Sequence, residues 1–332
     1  MLYITPEIEN MSNDIHENSI IADCHCDSVY NLLLPIEQYD FCKRNERGHV
    51  DIPRFKETGM NIQVFALFVE QLYHPDRSLK RCLQLYELLM SAFDNNNLEI
   101  ELATSQGEID NILNHNKIAA LLAVEGGECL EGSLDILRLL YRLGVRILTL
   151  TWNHRNQLAD GVMESQSGGG LTTFGREVVK EMNSLKMIID VSHLSEGGFW
   201  DVIELSECPV IASHSNANSV FPHVRNLKEE QIKALAQKGG IMGINFYPGF
   251  IGSNNPGIHS IIDHIDYLTN LVGIDYLCLG GDFDGIDETP EGLEDVSCLN
   301  NLTSQLLIRG YEKRDVEKIM GENFYNFFQK NL

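Results

Sequence analysis

The segment Ile188–Ala217, IIDVSHLSEGGFWDVIELSECPVIASHSNA, decides how the rest of the chain is read. Two short β-branched runs, IIDVS and PVIAS, enclose a stretch that opens on Ser195 and Glu196, a plausible helix start. Strand, helix, strand in a parallel unit returns the chain so that both strands run the same way. His193 and His214 then stand at equivalent places, and both imidazoles project from the C-terminal edge of one sheet. Two such imidazoles can share a metal ion. Histidine also ends strands in proteins that bind no metal, so the remaining strand ends must decide.

Working outward, eight strand-like runs appear: SIIADCHCD (19–27), MNIQVFALFV (60–69), IAALLAVEGG (118–127), VRILTLTWN (145–153), KMIIDVSHL (186–194), CPVIASHSN (208–216), GGIMGINFY (239–247) and YLCLGGDFDG (276–285). Most are continuously apolar, as strands covered on both faces are. Helical spacing fills the gaps, as in Phe174, Val178, Val179, Met182 and Leu185 after a cap at Thr173, or Ile261, Ile265, Leu268 and Leu271. Eight alternations predict an α/β fold of the (β/α)8, TIM-like barrel class. An open doubly wound sheet is the competitor. No G-x-G-x-x-G follows the first strand, and polar residues mark the ends of six of the runs, which suits a ring better than a single crevice. The expected organisation is one barrel domain over 1–332, with an N-terminal extension (1–18) and C-terminal helices within 300–329. The first connection, 28–59, is long and contains a short helix around VDIPRFKETG. The Gly-rich stretch 164–173 is expected as a mobile loop near the site mouth.

Composition narrows the partners. With 25 Lys+Arg against 48 Asp+Glu, the net charge is −23, which repels phosphate backbones and anionic lipid. Neither nucleic acid nor a membrane is an expected partner. The first twenty residues carry no basic segment followed by an apolar core, and no apolar run reaches the roughly 18 residues of a span. A cytoplasmic location is expected. The eight cysteines form no C-x-x-C pair, so reduced thiols are the default. Strict alternation turns Cys24 and Cys26 away from His25, which argues against thiolate ligands.

The strand ends collect His25, Asp27, Glu125, His193, His214, Asp282 and Asp284 at one rim. His25 and Asp27 share a face and can bind one ion. Glu125 follows LLAV and precedes two glycines, a place where a carboxylate requires a partner. One carboxylate can bridge two ions, with His25 and Asp27 on one side and His193 and His214 on the other. Such a pair activates a shared water for hydrolysis. Nitrogen and oxygen donors without thiolate fit Zn2+, with manganese or cobalt as substitutes.

The segments DCHCDSVYNLL, LLAVEGGECLEG, IIDVSHLS, VIASHSNANSVFPHVRN, GINFYPGFI, GGDFDG and PEGLEDVS resemble the membrane (renal) dipeptidase family of zinc peptidases, in its soluble bacterial form. The resemblance runs in consistent order from about Ile21 to Phe328. It implies a zinc-dependent dipeptidase with two Zn2+ per chain, acting on small dipeptides that include those with a C-terminal D-residue. A homodimer is typical of the family. Position by position, it makes His25, Asp27, Glu125, His193 and His214 the metal ligands, Glu125 bridging and taking part in catalysis. Arg225 falls where the family binds the substrate carboxylate, and Asp282 where it places a catalytic acid/base. Asp284 reads as a supporting carboxylate. One motif departs from the pattern. Many members have histidine directly after the Thr of the fourth strand motif, where LTWNHRN has Trp152. His154 keeps strand parity with Trp152 and is a substitute catalytic residue; Trp152 and Asn153 are expected to touch substrate.

Two rival readings stand beside this one. A related barrel amidohydrolase would act on N-acyl amino acids or lactams, but no Lys at a strand end matches a carboxylated bridge. A metal-binding protein that has lost turnover is the other, with Trp152 as its foothold.

Overall fold

The computed structural model describes residues 4–96 and 98–331. Among the described residues nine parallel strands run β1 Ala22–Cys26, β2 Ile62–Phe68, β3 Ile100–Leu102, β4 Ile118–Glu125, β5 Val145–Thr149, β6 Ile188–Asp190, β7 Ile211–Ser215, β8 Ile241–Ile244 and β9 Leu277–Leu279. The order β2-β1-β9-β8-β7-β6-β5-β4 closes through a full-length β2–β4 ladder, giving an eight-strand (β/α)8 barrel. The expected ring is therefore present. The ninth strand, β3, was not anticipated: Ile100–Leu102 pairs with Ile118–Ala120 at the start of β4, and β5 pairs with the end of the same strand. Only three residues long, it shows no alternation to read.

Several strands end earlier than their apolar runs. β6 stops at Asp190 because that carboxylate itself takes the N–H groups of Ser192 and Ser213 at 3.0 and 2.9 Å. β9 stops before Gly280. The bottom of the barrel is closed by aromatic side chains of the C-terminal helix Asn323–Asn331. Phe324, Phe327 and Phe328 join the inward-facing Ala22, Ile62, Ala119, Ile211 and Ile241 in one buried cluster. Tyr325 Oη donates to Asp110 on helix Gln106–Asn114 at 2.7 Å, tying together the two helices that contribute to this cluster.

Local sequence explains the flanking helices. Ile52–Thr58 begins at Asp51, whose carboxylate accepts from the Arg54 N–H at 3.0 Å, has Pro53 in its first turn and ends on Gly59 at φ 66°. The Ser195 hydroxyl caps helix Glu196–Leu205, as expected. Helix Thr173–Leu185 is capped one residue earlier than expected, by Thr172. The N-terminal extension forms a helix, Pro6–Asn18, with His16 bound between Thr58 O and Thr303 Oγ1 at 2.7 Å each. The Gly-rich loop is fastened: Leu171 N–H donates to Asp201 at 2.8 Å and Ser195 Oγ to Gly169 O at 3.1 Å.

Removing one ring from the aromatic plug isolates its contribution. Phe328→Ala is expected to lower unfolding stability by about 3–5 kcal/mol, measured by urea denaturation, while the folded variant still binds metal at the opposite end.

Candidate metal centre

Parallel strands bring every C-terminal end to one rim, but two local irregularities aim the histidines. Between Asp23 and Cys26, β1 advances three positions while β2 advances two, from Gln63 to Phe65. β7 does the same between Ala212 and Ser215 against Met242 and Ile244 of β8. Each is a bulge, an extra residue that re-aims side chains at a barrel rim. The bulge also corrects the expected alternation around His25. Cys24 lies in the inner cluster, its thiol donating to Leu279 O and Ser213 O at 2.7 and 2.9 Å, while Cys26 belongs to the outer one. Both are free and buried, and neither joins a metal-type cluster among the described residues.

Each bulge is held by a buried aspartate. Asp23 accepts the N–H of His25 at 2.9 Å and that of Gly281 at 3.0 Å. Asp190 accepts four donors: Ser192 N, Ser213 N, and the hydroxyls of Thr149 and Ser213 at 2.6 Å each. The bulge pushes the Ser213 carbonyl inward, where an added Cβ at Gly243 or Gly280 would approach it to 2.0 or 1.9 Å. Those two glycines are required by close backbone approach. Sequence reading missed Asp23 and Asp190; their signal was a carboxylate two or three residues before a strand-end histidine.

The five candidate ligands lie together at the rim. His25 Nε2 lies 3.4 Å from Asp27 Oδ2 and 3.5 Å from Glu125 Oε2. Glu125 Oε1 lies 2.9 Å from His193 Nε2 and 3.7 Å from His214 Nε2. Glu125 thus turns one oxygen toward each set, and all five residues are buried. Their protons are accounted for. Ser213 donates to Asp190, so its oxygen accepts from His214 Nδ1 at 2.7 Å; Asn153 Oδ1 accepts from His193 Nδ1 at 2.8 Å. Both Nε2 atoms then carry lone pairs, facing one another at 2.7 Å with Glu125 Oε1 beside them. His25 Nε2 and Asp27 Oδ1 are buried without a hydrogen-bond partner. Acceptors arranged this way fit a cation, and the nitrogen–oxygen donor set fits zinc.

The electrostatics agree. Burial, and secondarily Arg225, push His193 down to about 4; burial also holds His214 well below its ordinary value, so both rings are neutral. Burial opposes charge on His25 too, but the carboxylates of Asp27 and Glu125 prevail and raise it well above the usual imidazole. Burial, then Glu125, push Asp27 up to about 6. Burial also works against ionised Glu125, yet the protonated His25 beside it keeps it below the ordinary carboxylate range.

A cavity of about 420 Å³ opens above these groups, lined by Tyr30, Phe68, Trp152, Arg225, Tyr247 and Asp282 among others. Arg225 is 4% exposed; among the described residues its guanidinium donates only to His214 O at 3.2 Å and leaves Nε unpartnered, and Phe250 lies under it at 5.5 Å. Burial lowers it to about 10, still charged at neutral pH. Asp282 adopts φ 60°, a left-handed conformation uncommon in non-glycine residues. Asn245 donates to its Oδ2 at 2.8 Å, and its Oδ1 lies 3.9 Å from His25 Nε2. Burial, with Asp27 and Glu125 adding repulsion against the pull of His25, raises it to about 7. Asp284 accepts from Ser28 Oγ and His49 N at 2.5 and 2.6 Å, a supporting carboxylate. Trp152 and Asn153 line the cavity. His154 does not; its side chain is 52% exposed, with Nδ1 3.8 Å from Glu164.

A (β/α)8 barrel with a buried carboxylate between two imidazole sets at its C-terminal mouth defines a metal-dependent hydrolase. The family model described as membrane dipeptidase (peptidase family M19) matches residues 9–331. The chain is 34% identical over 290 residues to Dipeptidase tcpJ of Claviceps purpurea (strain 20.1), covering 83% of this chain and 68% of that protein. Among solved structures it resembles the metallopeptidase dipeptidase AC, with TM-score 0.88, 28% identity and coverage of 94% and 98% of the two chains. It also resembles a metallopeptidase from Rhodobacter sphaeroides liganded with a phosphinate mimic of L-Ala-D-Ala, with TM-score 0.87, 27% identity and coverage of 95% and 100%. The chain belongs to the membrane dipeptidase family, a family of metal-dependent peptidases. No helix among the described residues is long and apolar enough to cross a membrane.

Protons compete with a cation for these ligands. Because His25 titrates above its ordinary value and Asp27 at about 6, metal affinity is expected to weaken as pH falls and to drop steeply below about pH 6. Equilibrium dialysis with zinc between pH 8 and 5, read by elemental analysis, measures this; constant metal content across the range would contradict the ligand set.

Proposed function

We propose that the protein is a zinc-dependent dipeptidase in which Glu125 bridges two ions, one held by His25 and Asp27 and the other by His193 and His214. The observation that carries this reading is the division of the Glu125 oxygens, one toward His25 and one toward His193 and His214. Bound there, the two cations would supply a hydroxide at neutral pH and polarise the scissile carbonyl.

The protein's own groups do the rest. Arg225, a buried cation with no carboxylate partner among the described residues, offers free donors to the substrate's terminal carboxylate. That clamp favours dipeptides, because a further residue would carry the terminal carboxylate away from the buried guanidinium. Asp282, at about 7 and steadied by Asn245, takes up and returns a proton near working pH and delivers it to the leaving amine. Asn153 keeps the His193 proton on Nδ1 and so directs the Nε2 lone pair inward. Trp152 shields the reacting atoms from bulk water. His154, on the exposed loop, is left without a role in the reaction. The Rhodobacter relative's ligand supports tolerance of a C-terminal D-residue.

Turnover of Ala-D-Ala and Ala-Ala, dependent on zinc, tests the reading against N-acetyl-alanine as the alternative amide. Cleavage of the N-acyl compound alone would replace it, and no hydrolysis of either class by zinc-loaded protein would remove it. Arg225→Ala is expected to raise KM for dipeptides by about ten- to a hundredfold with a smaller change in kcat. Asp282→Asn should lower kcat by about 10²–10⁴-fold while zinc content stays at the wild-type level. An unchanged KM in the first variant, or unchanged kcat in the second, would reassign that residue.

A further inference from the structure

We infer that the cavity selects dipeptides by a large apolar side chain on the N-terminal residue, read by Tyr30, Phe68 and Trp152. This rests on the dipeptidase reading above and extends it to substrate class. The three rings form a continuous wall: Tyr30 and Phe68 have centroids 6.0 Å apart, Phe68 and Trp152 5.2 Å. All three line the cavity and are only partly buried, so aromatic surface faces the open volume. Tyr30 is fixed by its hydroxyl, which donates to Phe68 O at 3.1 Å and lies beside Glu70. The three rings thus give the cavity a continuous aromatic side, with Glu70 at its edge beside Tyr30.

Its position identifies which residue it meets. Phe68 ends β2 as the direct Cα partner of Glu125, and the Trp152 ring lies 6.2 Å from that of His193. The wall stands on the β2 and β5 side of the ligand cluster. Arg225 stands on the other, in the connection after β7, with Tyr247 and Phe250 packed together at 4.8 Å beside it. A dipeptide with its carboxylate on Arg225 and its amide over Glu125 has its first residue pointing toward Phe68. The second side chain falls on the Tyr247 and Phe250 side. Where the family resemblance implies a polar histidine beside the scissile bond, this chain presents the indole of Trp152, which extends the aromatic wall to the reacting atoms. Aromatic faces gain most from large apolar or aromatic partners. Pocket discrimination of this kind amounts to about 10- to 200-fold.

The test compares kcat/KM of the zinc-loaded enzyme for Phe-Ala, Leu-Ala and Gly-Ala, with Ala-Phe as the reversed control. Phe-Ala and Leu-Ala are expected to exceed Gly-Ala by at least about tenfold, and Phe68→Ala should bring the Phe-Ala to Gly-Ala ratio close to one. Phe68→Leu, which keeps an apolar side chain, should retain a preference for Leu-Ala. Equal rates for Phe-Ala and Gly-Ala in the wild type, or an unaltered ratio in a folded Phe68→Ala, would overturn the wall as the selecting surface and leave the dipeptidase reading standing. Failure to cleave any of the four would instead remove the dipeptidase reading itself.

Discussion

Three buried lone pairs meet at Glu125 Oε1, His193 Nε2 and His214 Nε2, separated by as little as 2.7 Å, with both imidazole protons committed elsewhere. Groups of one polarity do not gather in a protein interior without a strong opposing partner. The surrounding framework must hold them together, and the arrangement becomes favourable when a cation supplies the missing positive charge. Much of the barrel's upper layer serves that constraint. Asp190 binds four donors and so ends β6, sets the β7 bulge and, through Ser213, fixes the His214 tautomer. Asp23 does the corresponding work under His25.

The two halves of the site differ in charge. His193 and His214 are kept neutral by burial, which suits ligands, whereas His25 sits among Asp27, Glu125 and Asp282 and holds a proton strongly. A metal ion bound at the His25 side would therefore displace a proton. An ion bound at the other side would meet two neutral imidazoles and the charged Glu125 carboxylate. Arg225 places a buried guanidinium at the cavity, close enough to lower His193 and with no carboxylate partner among the described residues, so its Nε remains open.

Much of this was legible in the chain because a parallel barrel converts position in sequence into position on a rim. Once eight apolar runs are recognised, His25, Glu125, His193, His214 and Asp282 must emerge on the same side. What alternation could not give was direction. A bulge adds one residue with no change in hydrophobicity, so Cys24 and Cys26 appeared to share a face when they pack in different clusters. Parity likewise placed His154 beside Trp152, but β5 ends at Thr149, and beyond that residue alternation no longer applies. Asp190 was hidden inside an apolar run because a buried carboxylate with four donors leaves no pattern until the fold assembles the donors. Long-range assembly also conceals the wall of Tyr30, Phe68 and Trp152, contributed by the end of β2 and by the connections after β1 and β5.

The most direct measurement is a zinc-soaked crystal examined by anomalous scattering at the zinc edge. The account predicts two peaks about 3.5–4 Å apart, one beside each oxygen of Glu125, the first also touching His25 and Asp27 and the second His193 and His214. A single peak, or two peaks neither of which is bound by Glu125, would contradict it.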